Sequence, residues 1–227
     1  ASAGQSLNLN WKWEDIAKHL KINVRDSMSA LDIKNNLLGV CDQMYLFEPG
    51  DDTTVCVLKA VKPKKVKLFT GPPTHKEDDA KVVHELMNNA DIRIVSGGTT
   101  SQIVARELGV EVKSSTEIYD KEVPPIAYIQ GVDLVTEGVL TLSKTIDRLK
   151  SLSKSLDSDI FKAKDGASQM AKLLYSASHI KLLVGRALNI ANAESSFQRD
   201  LELRLHVVGE LEKILVKLGK IVTVEYY

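Results

Sequence analysis

The chain has 227 residues, 44% of them hydrophobic, and its 30 lysines and arginines are balanced by 30 aspartates and glutamates. That length allows one large domain or two ordinary ones. A net charge of zero gives no global field toward nucleic acid or an anionic membrane, so neither is expected as a partner. No apolar run reaches the length of a membrane span, and the opening Ala1-Ser-Ala-Gly-Gln-Ser-Leu7 lacks the pattern of a secretory signal. Cys41 and Cys56 stand alone, which suits two reduced thiols better than a disulfide or a metal pair. The expectation is a soluble cytoplasmic globular chain.

In chain order, Trp11 to Lys21 reads as a short amphipathic helix with Trp13, Ile16, Ala17 and Leu20 on one side. A second helix opens at Ser29, with Asp32 placed three residues on to complete a capping box. Its apolar stripe is Ile33, Leu37, Leu38, Cys41, Met44 and Tyr45. Pro49-Gly50 makes a turn, and Val55 to Leu58 reads as a strand apolar on both faces. Asp51-Asp52 is thus a carboxylate pair at the mouth of a strand. Adjacent carboxylates repel unless a cation neutralises them, and hard oxygen ligands suit Mg²⁺ or Mn²⁺. The same pair also fits a solvated turn in which Thr53 or Thr54 donates to an aspartate.

Val61-Lys-Pro-Lys-Lys65 reads as a junction, and from Val66 strands alternate with helices. Val66–Thr70 is a strand closed by Gly71-Pro72-Pro73, and Thr74 with Glu77 forms a second capping box for a helix through Ala80, Val83, Leu86 and Met87. Ile92–Val95 is a strand, Gly97-Gly98 a turn, and Thr99, Thr100 and Ser101 cap a helix that stops at Gly109. Val110–Lys113, Ile126–Ile129 and Val132–Val135 are short apolar strand pieces, followed by a helix from Thr136 to Leu152. Asp165 opens another helix, Ile180–Val184 is a strand ending at Gly185-Arg186, and Leu188 to Arg199 has no period and reads as a loop or lid. Asp200 to Leu218 is the longest helix, and Ile221–Tyr227 the last strand.

About six strands separated mostly by helices imply an α/β domain with a mostly parallel, doubly wound, Rossmann-like sheet between two helical layers. In such sheets ligands bind outside the carboxyl ends of the strands. The residues just past those ends are Gly71, Gly97, Gly98, Thr99, Thr100, Glu137, Arg186 and Asn189. Glycine turns, hydroxyls, one carboxylate and a guanidinium fork suit a small anionic ligand. The other reading pairs Arg186 with Glu137 and leaves the glycines to turn the chain. The five histidines lack metal-ligand spacing, and no nucleophile–base order emerges from them.

Gly50-Asp-Asp-Thr-Thr-Val-Cys-Val-Leu58, preceded by the Ser29–Tyr45 helix, resembles the last helix and strand of metal-dependent (type 2C) serine/threonine protein phosphatases. The nearest branch is the bacterial one that includes the stage II sporulation protein E family. Ser96-Gly-Gly-Thr-Thr-Ser-Gln-Ile-Val-Ala-Arg-Glu-Leu-Gly109, Gly131–Ser143 and Val184–Asn189 are similar to the segment that follows the catalytic domain in that branch. The resemblance implies that Asp51 is a metal ligand and that residues 1–60 are the tail of a phosphatase domain, with 64–227 an accessory α/β domain. It implies a bacterial phosphoprotein as substrate of the parent enzyme, with Mg²⁺ or Mn²⁺ as its metal. The family's other metal aspartates and its phosphate-binding arginine come upstream of Asp51, and nothing before Trp11 supplies them. This chain alone is therefore expected to hold no cofactor and to be inert as a phosphatase. Trp11, Trp13 and the Ile33–Tyr45 stripe would then leave apolar surface that favours a homo-oligomer.

Overall fold

The computed structural model describes residues 11–25, 28–48, 52–60, 62–154, 160, 162–187 and 194–227. The chain divides into two compact units, Ala1–Lys62 and Pro63–Tyr227. It is an α/β protein with one mixed sheet of seven strands.

The first unit holds α1 (Trp13–Asn23) and α2 (Ala30–Met44). Ser29 caps α2 as its sequence dictates: the Asp32 amide donates to the Ser29 hydroxyl at 3.1 Å and the Ser29 amide donates to the Asp32 carboxylate at 2.7 Å. Trp11, Leu37 and Cys41 are buried together, with Ile16, Leu20, Met44 and Val55 against them. Burial first, then the nearby Asp42 charge, pushes the Cys41 thiol above its ordinary value. Trp13 is 71% exposed and so lies off the face that α1 buries. The strand expected at Val55–Leu58 does not form. Residues 52–60 belong to no strand, and Leu58 is 94% exposed. A lone strand leaves its backbone groups without ladder partners, and this unit supplies none among the described residues. Asp51 lies outside the described residues.

The second unit contains β1 (Lys65–Thr70), α3 (Asp79–Met87), β2 (Ile92–Ser96), α4 (Gly98–Leu108), β3 (Lys113–Ser114), β4 (Ala127–Tyr128), β5 (Leu134–Thr136), α5 (Val139–Lys154), α6 (Gly166–Ser176), β6 (His179–Val184), α7 (Glu194–Lys217) and β7 (Ile221–Tyr226). The strand order is β3-β4-β5-β2-β1-β6-β7. β5, β2, β1, β6 and β7 run parallel, whereas β3 and β4 are antiparallel to their neighbours. The strand pieces expected at Val110–Lys113 and Ile126–Ile129 fall at β3 and β4, shifted and shortened, but their antiparallel pairing was not expected. Each strand is two residues long, too short for a periodicity to register.

Alternation along the strands divides the core. Val66 and Leu68 of β1 join Ile92, Ile94, Ile180, Leu182 and the apolar stripes of α5, α6 and α7. Phe69, Val95, Val135 and Leu183 face the other way, against Val82, Val83 and Leu86 of α3 and Ile103 and Val104 of α4. From β1 the chain winds outward through β2 to β5, then returns to add β6 and β7 on the opposite side of β1. The carboxyl ends of β1 and β6 therefore flank a reversal of winding, where the connecting segments diverge and leave a crevice.

Two local readings need correction. Thr74 does not cap α3; its amide and hydroxyl both donate to the Tyr227 carbonyl, and a short 3₁₀ turn, Lys76–Asp78, leads into the helix instead. The last helix begins at Glu194, inside the stretch expected to be loop, while 188–193 lie outside the described residues. Asp165 does cap α6, accepting from the Ser168 amide at 2.9 Å. It is 6% exposed, so Asp165→Ala leaves that amide dry and should cost about 1–2 kcal/mol in denaturant unfolding.

On the α3 side of the sheet, Glu85 accepts from Lys67 at 2.6 Å and from Lys181 at 2.9 Å, and Lys181 also pairs with Glu225 at 2.6 Å. Donation from Lys181 and then from Lys67 lowers the Glu85 carboxyl below its ordinary value of 4.5. A carboxyl lowered on folding stabilises the fold above its unfolded value, and that stabilisation is lost as pH falls through the folded one. Urea unfolding of the wild-type protein should therefore lose stability as pH drops below about 4.5, the ordinary carboxyl value. Glu85→Gln should show a smaller loss over the same range; equal slopes for the two proteins would contradict the assignment.

Candidate functional site

A cleft of about 550 Å³ opens at the carboxyl ends of β1, β2 and β5. Thr70, Ser96 and Glu137 at the strand ends form its floor, the first turn of α4 one wall, and Asp200, Leu203 and Arg204 of α7 another.

The α4 wall follows from the Gly97-Gly98 pair. Gly97 has φ +120° and its amide donates to the Thr136 carbonyl at 2.9 Å, which pins the turn to β5. The first helical bond runs from the Ser101 amide to the Gly97 carbonyl. The N–H groups of Gly98, Thr99 and Thr100 precede it and have no acceptor among the described residues. No side chain caps them and no acidic residue lies in the first turn. An uncapped helix start presents donors and the positive end of the helix dipole to whatever fills the cleft. Thr99 is exposed there, but Thr100 is committed, since its hydroxyl accepts from the Gly71 amide at 2.9 Å.

The floor is fixed by hydroxyls. Ser96 and Thr136 both donate to the Glu137 carbonyl at 2.9 Å, holding the end of β5 against β2. The Glu137 side chain is exposed and has neither a hydrogen bond nor an ion pair among the described residues. Thr70 is different: it is 2% exposed, lines the cleft, and its hydroxyl has no hydrogen-bond partner among the described residues. Among the described residues the hydroxyls sealed from solvent without a partner are those of Thr141 and Ser168, whereas that of Thr70 is open to the cleft.

The roof rests on a close crossing of two turns. The Gly185 amide donates to the Thr70 carbonyl at 2.9 Å and the Ala187 amide to the Pro72 carbonyl at 3.0 Å. A Cβ on Gly185 would lie 2.1 Å from the Pro72 carbonyl oxygen and 2.2 Å from that of Gly71. Gly71 has φ +78°, and a Cβ there would lie 2.6 Å from a guanidinium nitrogen of Arg204. Arg204 enters over this crossing and donates to the Gly185 carbonyl at 3.3 Å. Burial pulls its guanidinium below the ordinary arginine value, with the Asp200 charge opposing. It makes no ion pair among the described residues and remains cationic at any physiological pH.

The sequence-selected residues therefore divide. Gly97, Gly98, Thr99, Thr100 and Glu137 meet in one cleft, with Gly71 at its edge. Arg186 lies elsewhere: its amide donates to the Tyr227 carbonyl, and its exposed guanidinium lies 5.9 Å from the centre of the Tyr226 ring. Among the described residues it pairs with no carboxylate, Glu137 included. Asn189 is outside the described residues. Arg204, which the sequence reading did not select, occupies the place it gave to Arg186. The available signal was an arginine on the inward stripe of the last helix, three and four residues before the buried Val207 and Val208.

Among the described residues no three His, Cys, Asp or Glu side chains converge as a metal site would require, and no helix is long and apolar enough to cross a membrane. Comparison with protein-family models, with curated proteins and with solved structures returned no match.

Gly185→Ala forces the two turns apart and should cost about 1–3 kcal/mol, read as a lowered denaturation midpoint. Gly109→Ala, at a glycine with positive φ and open space around it, measures conformational strain alone and so sets the clash at Gly185 apart from it. An equal loss at both positions would contradict the crossing.

Proposed function

We propose that Pro63–Tyr227 is a doubly wound, Rossmann-like domain that binds a small anion, and that the chain is the C-terminal part of a bacterial metal-dependent serine/threonine phosphatase. In this reading the domain reports ligand occupancy to the phosphatase to which it is attached. The observation that carries the binding half is the convergence of three uncapped α4 amides, the unpartnered Thr70 hydroxyl and the half-buried, unpaired Arg204 on one cleft. These groups are all donors, and a phosphate or carboxylate is the partner that satisfies them together. The phosphatase half rests on the Asp51-Asp52-Thr-Thr motif and the three downstream segments that resemble the stage II sporulation protein E branch.

The cleft is lined by residues of the second unit, Thr70 to Arg204, so anion binding needs nothing from the first. That favours a second reading, in which the domain is an independent small-anion-binding protein with no phosphatase role. Asp51 separates the two. Under the first reading it is a metal ligand in an assembled phosphatase, and its substitution affects hydrolysis but not anion binding.

Isothermal titration with inorganic phosphate tests the binding half. Binding should weaken about tenfold or more in Arg204→Gln, since a hydrogen bond to a charged group contributes roughly 1.5–3 kcal/mol. Thr70→Val, which keeps the side-chain shape, should weaken it less, and both variants should retain wild-type circular dichroism. Phosphate and acetate that both fail to bind the wild-type protein would end this reading. The 227-residue chain should show no Mn²⁺-dependent hydrolysis of p-nitrophenyl phosphate; turnover abolished by Asp51→Ala would mean that a working metal centre assembles without the upstream ligands.

A further inference from the structure

The anion cleft does not end at α4. A second compartment of about 410 Å³ adjoins it, with Gly98, Pro124 and Glu137 in the walls of both. The second compartment runs under the other side of the α4 start, over β5, to the short β3–β4 edge. Its walls are mixed: Gln102, Ser114 and Ser115 offer polar groups, and Val112, Pro125 and Ile126 offer apolar surface. A lone phosphate or carboxylate would fill the α4–Arg204 end and leave this compartment to water.

Glu137 stands at the seam. A Cβ built on Gly98 would lie 3.6 Å from its Oε1, so the carboxylate is held close to the α4 start without accepting from any of its amides. For an anion alone, a bare carboxylate at that point is unfavourable, because like charges repel. For a ligand whose anion is joined to hydroxyl groups the same carboxylate is an acceptor in the right place, since an ionised carboxylate accepts only and binds hydroxyl donors strongly. Thr70, which is 2% exposed and whose hydroxyl opens to the first compartment with no partner among the described residues, marks the end that takes the anion, because it does not line the second.

Resting on the anion-binding reading above, we infer that the ligand is a phosphate monoester of a hydroxyl-bearing body, such as a sugar phosphate. Its phosphate lies on the α4 amides, Thr70 and Arg204; its hydroxyls donate to Glu137; its body extends over β5 toward Ser114. Glu137 then acts as a selectivity residue, weakening the binding of inorganic phosphate relative to the ester without abolishing it.

The test is a titration of the full chain with inorganic phosphate, ribose 5-phosphate and n-pentyl phosphate, the last matching the sugar in carbon count without its hydroxyls. Ribose 5-phosphate should bind at least about tenfold more tightly than either of the others. In Glu137→Ala that preference should collapse while affinity for inorganic phosphate rises, because a repelling charge is removed; loss of fold would instead weaken all three together. Phosphate binding with no preference for the sugar ester would overturn the inference and leave the anion-binding reading standing. So would a preference that survives in Glu137→Ala, or one that n-pentyl phosphate shares. Failure of all three ligands to bind would remove both.

Discussion

Two backbone turns cross at the carboxyl ends of β1 and β6 with no room for a side chain between them. The loop after β1 carries Gly71, the loop after β6 carries Gly185, and each glycine occupies space that a Cβ would contest with the other's carbonyl. Three elements depend on that approach. The Gly185 amide extends the β1–β6 ladder by donating to Thr70, which leaves the Thr70 side chain at the rim of the sheet. Arg204 reaches over the crossing to the Gly185 carbonyl, which brings a cation from the last helix to strand ends it could not otherwise meet. The Gly71 amide, turned inward by its positive φ, takes the Thr100 hydroxyl and ties α4 to the same point. A parallel sheet opens where its winding reverses, and here the opening is bounded by hydrogen bonds rather than left slack.

The electrostatics of the cleft are asymmetric in a way that the rest of the domain is not. Two clusters elsewhere are matched: Glu85 with Lys67 and Lys181, and Asp79, which is buried on α3, with Arg106 of α4. Arg106 thereby locks the two helices of one face. At the strand ends a guanidinium with no ion pair among the described residues and an uncapped helix start line the same space. Burying a cation without a counter-ion is unfavourable, and an anion in this cleft would relieve that cost. Two carboxylates share the cleft, Asp200 on the helix that carries Arg204 and Glu137 beside the α4 start.

Much of the second unit was legible from local pattern. β1, β2, β6 and β7 are runs rich in β-branched residues, and their helices carry stripes at helical spacing. Gly97-Gly98 announced the α4 start because no other residue type turns so tightly into a helix. What local pattern could not give was partnership. Arg186 follows a strand directly and looked like the site cation, but the final β-strand lies beside β6, and its Tyr226 ring and Tyr227 carbonyl take up that residue. Arg204 arrives from a helix that begins far along the chain, so its role depends on a tertiary crossing. The Val55–Leu58 stretch has strand character but no neighbouring strand, because sheet formation is decided by pairing more than by propensity. β3 and β4 lie at or beside short apolar pieces, but pairing sets their bounds and their antiparallel direction.

The central claim is that the first turn of α4 is an anion site completed by Arg204. The most direct measurement is an amide-resolved NMR titration with inorganic phosphate at constant pH. The account predicts that the Gly98, Thr99 and Thr100 amide protons move downfield together on one saturable curve, and that Arg204→Gln abolishes the saturation. Saturable shifts confined to Arg186 and its neighbours, with the α4 amides unmoved, would contradict it.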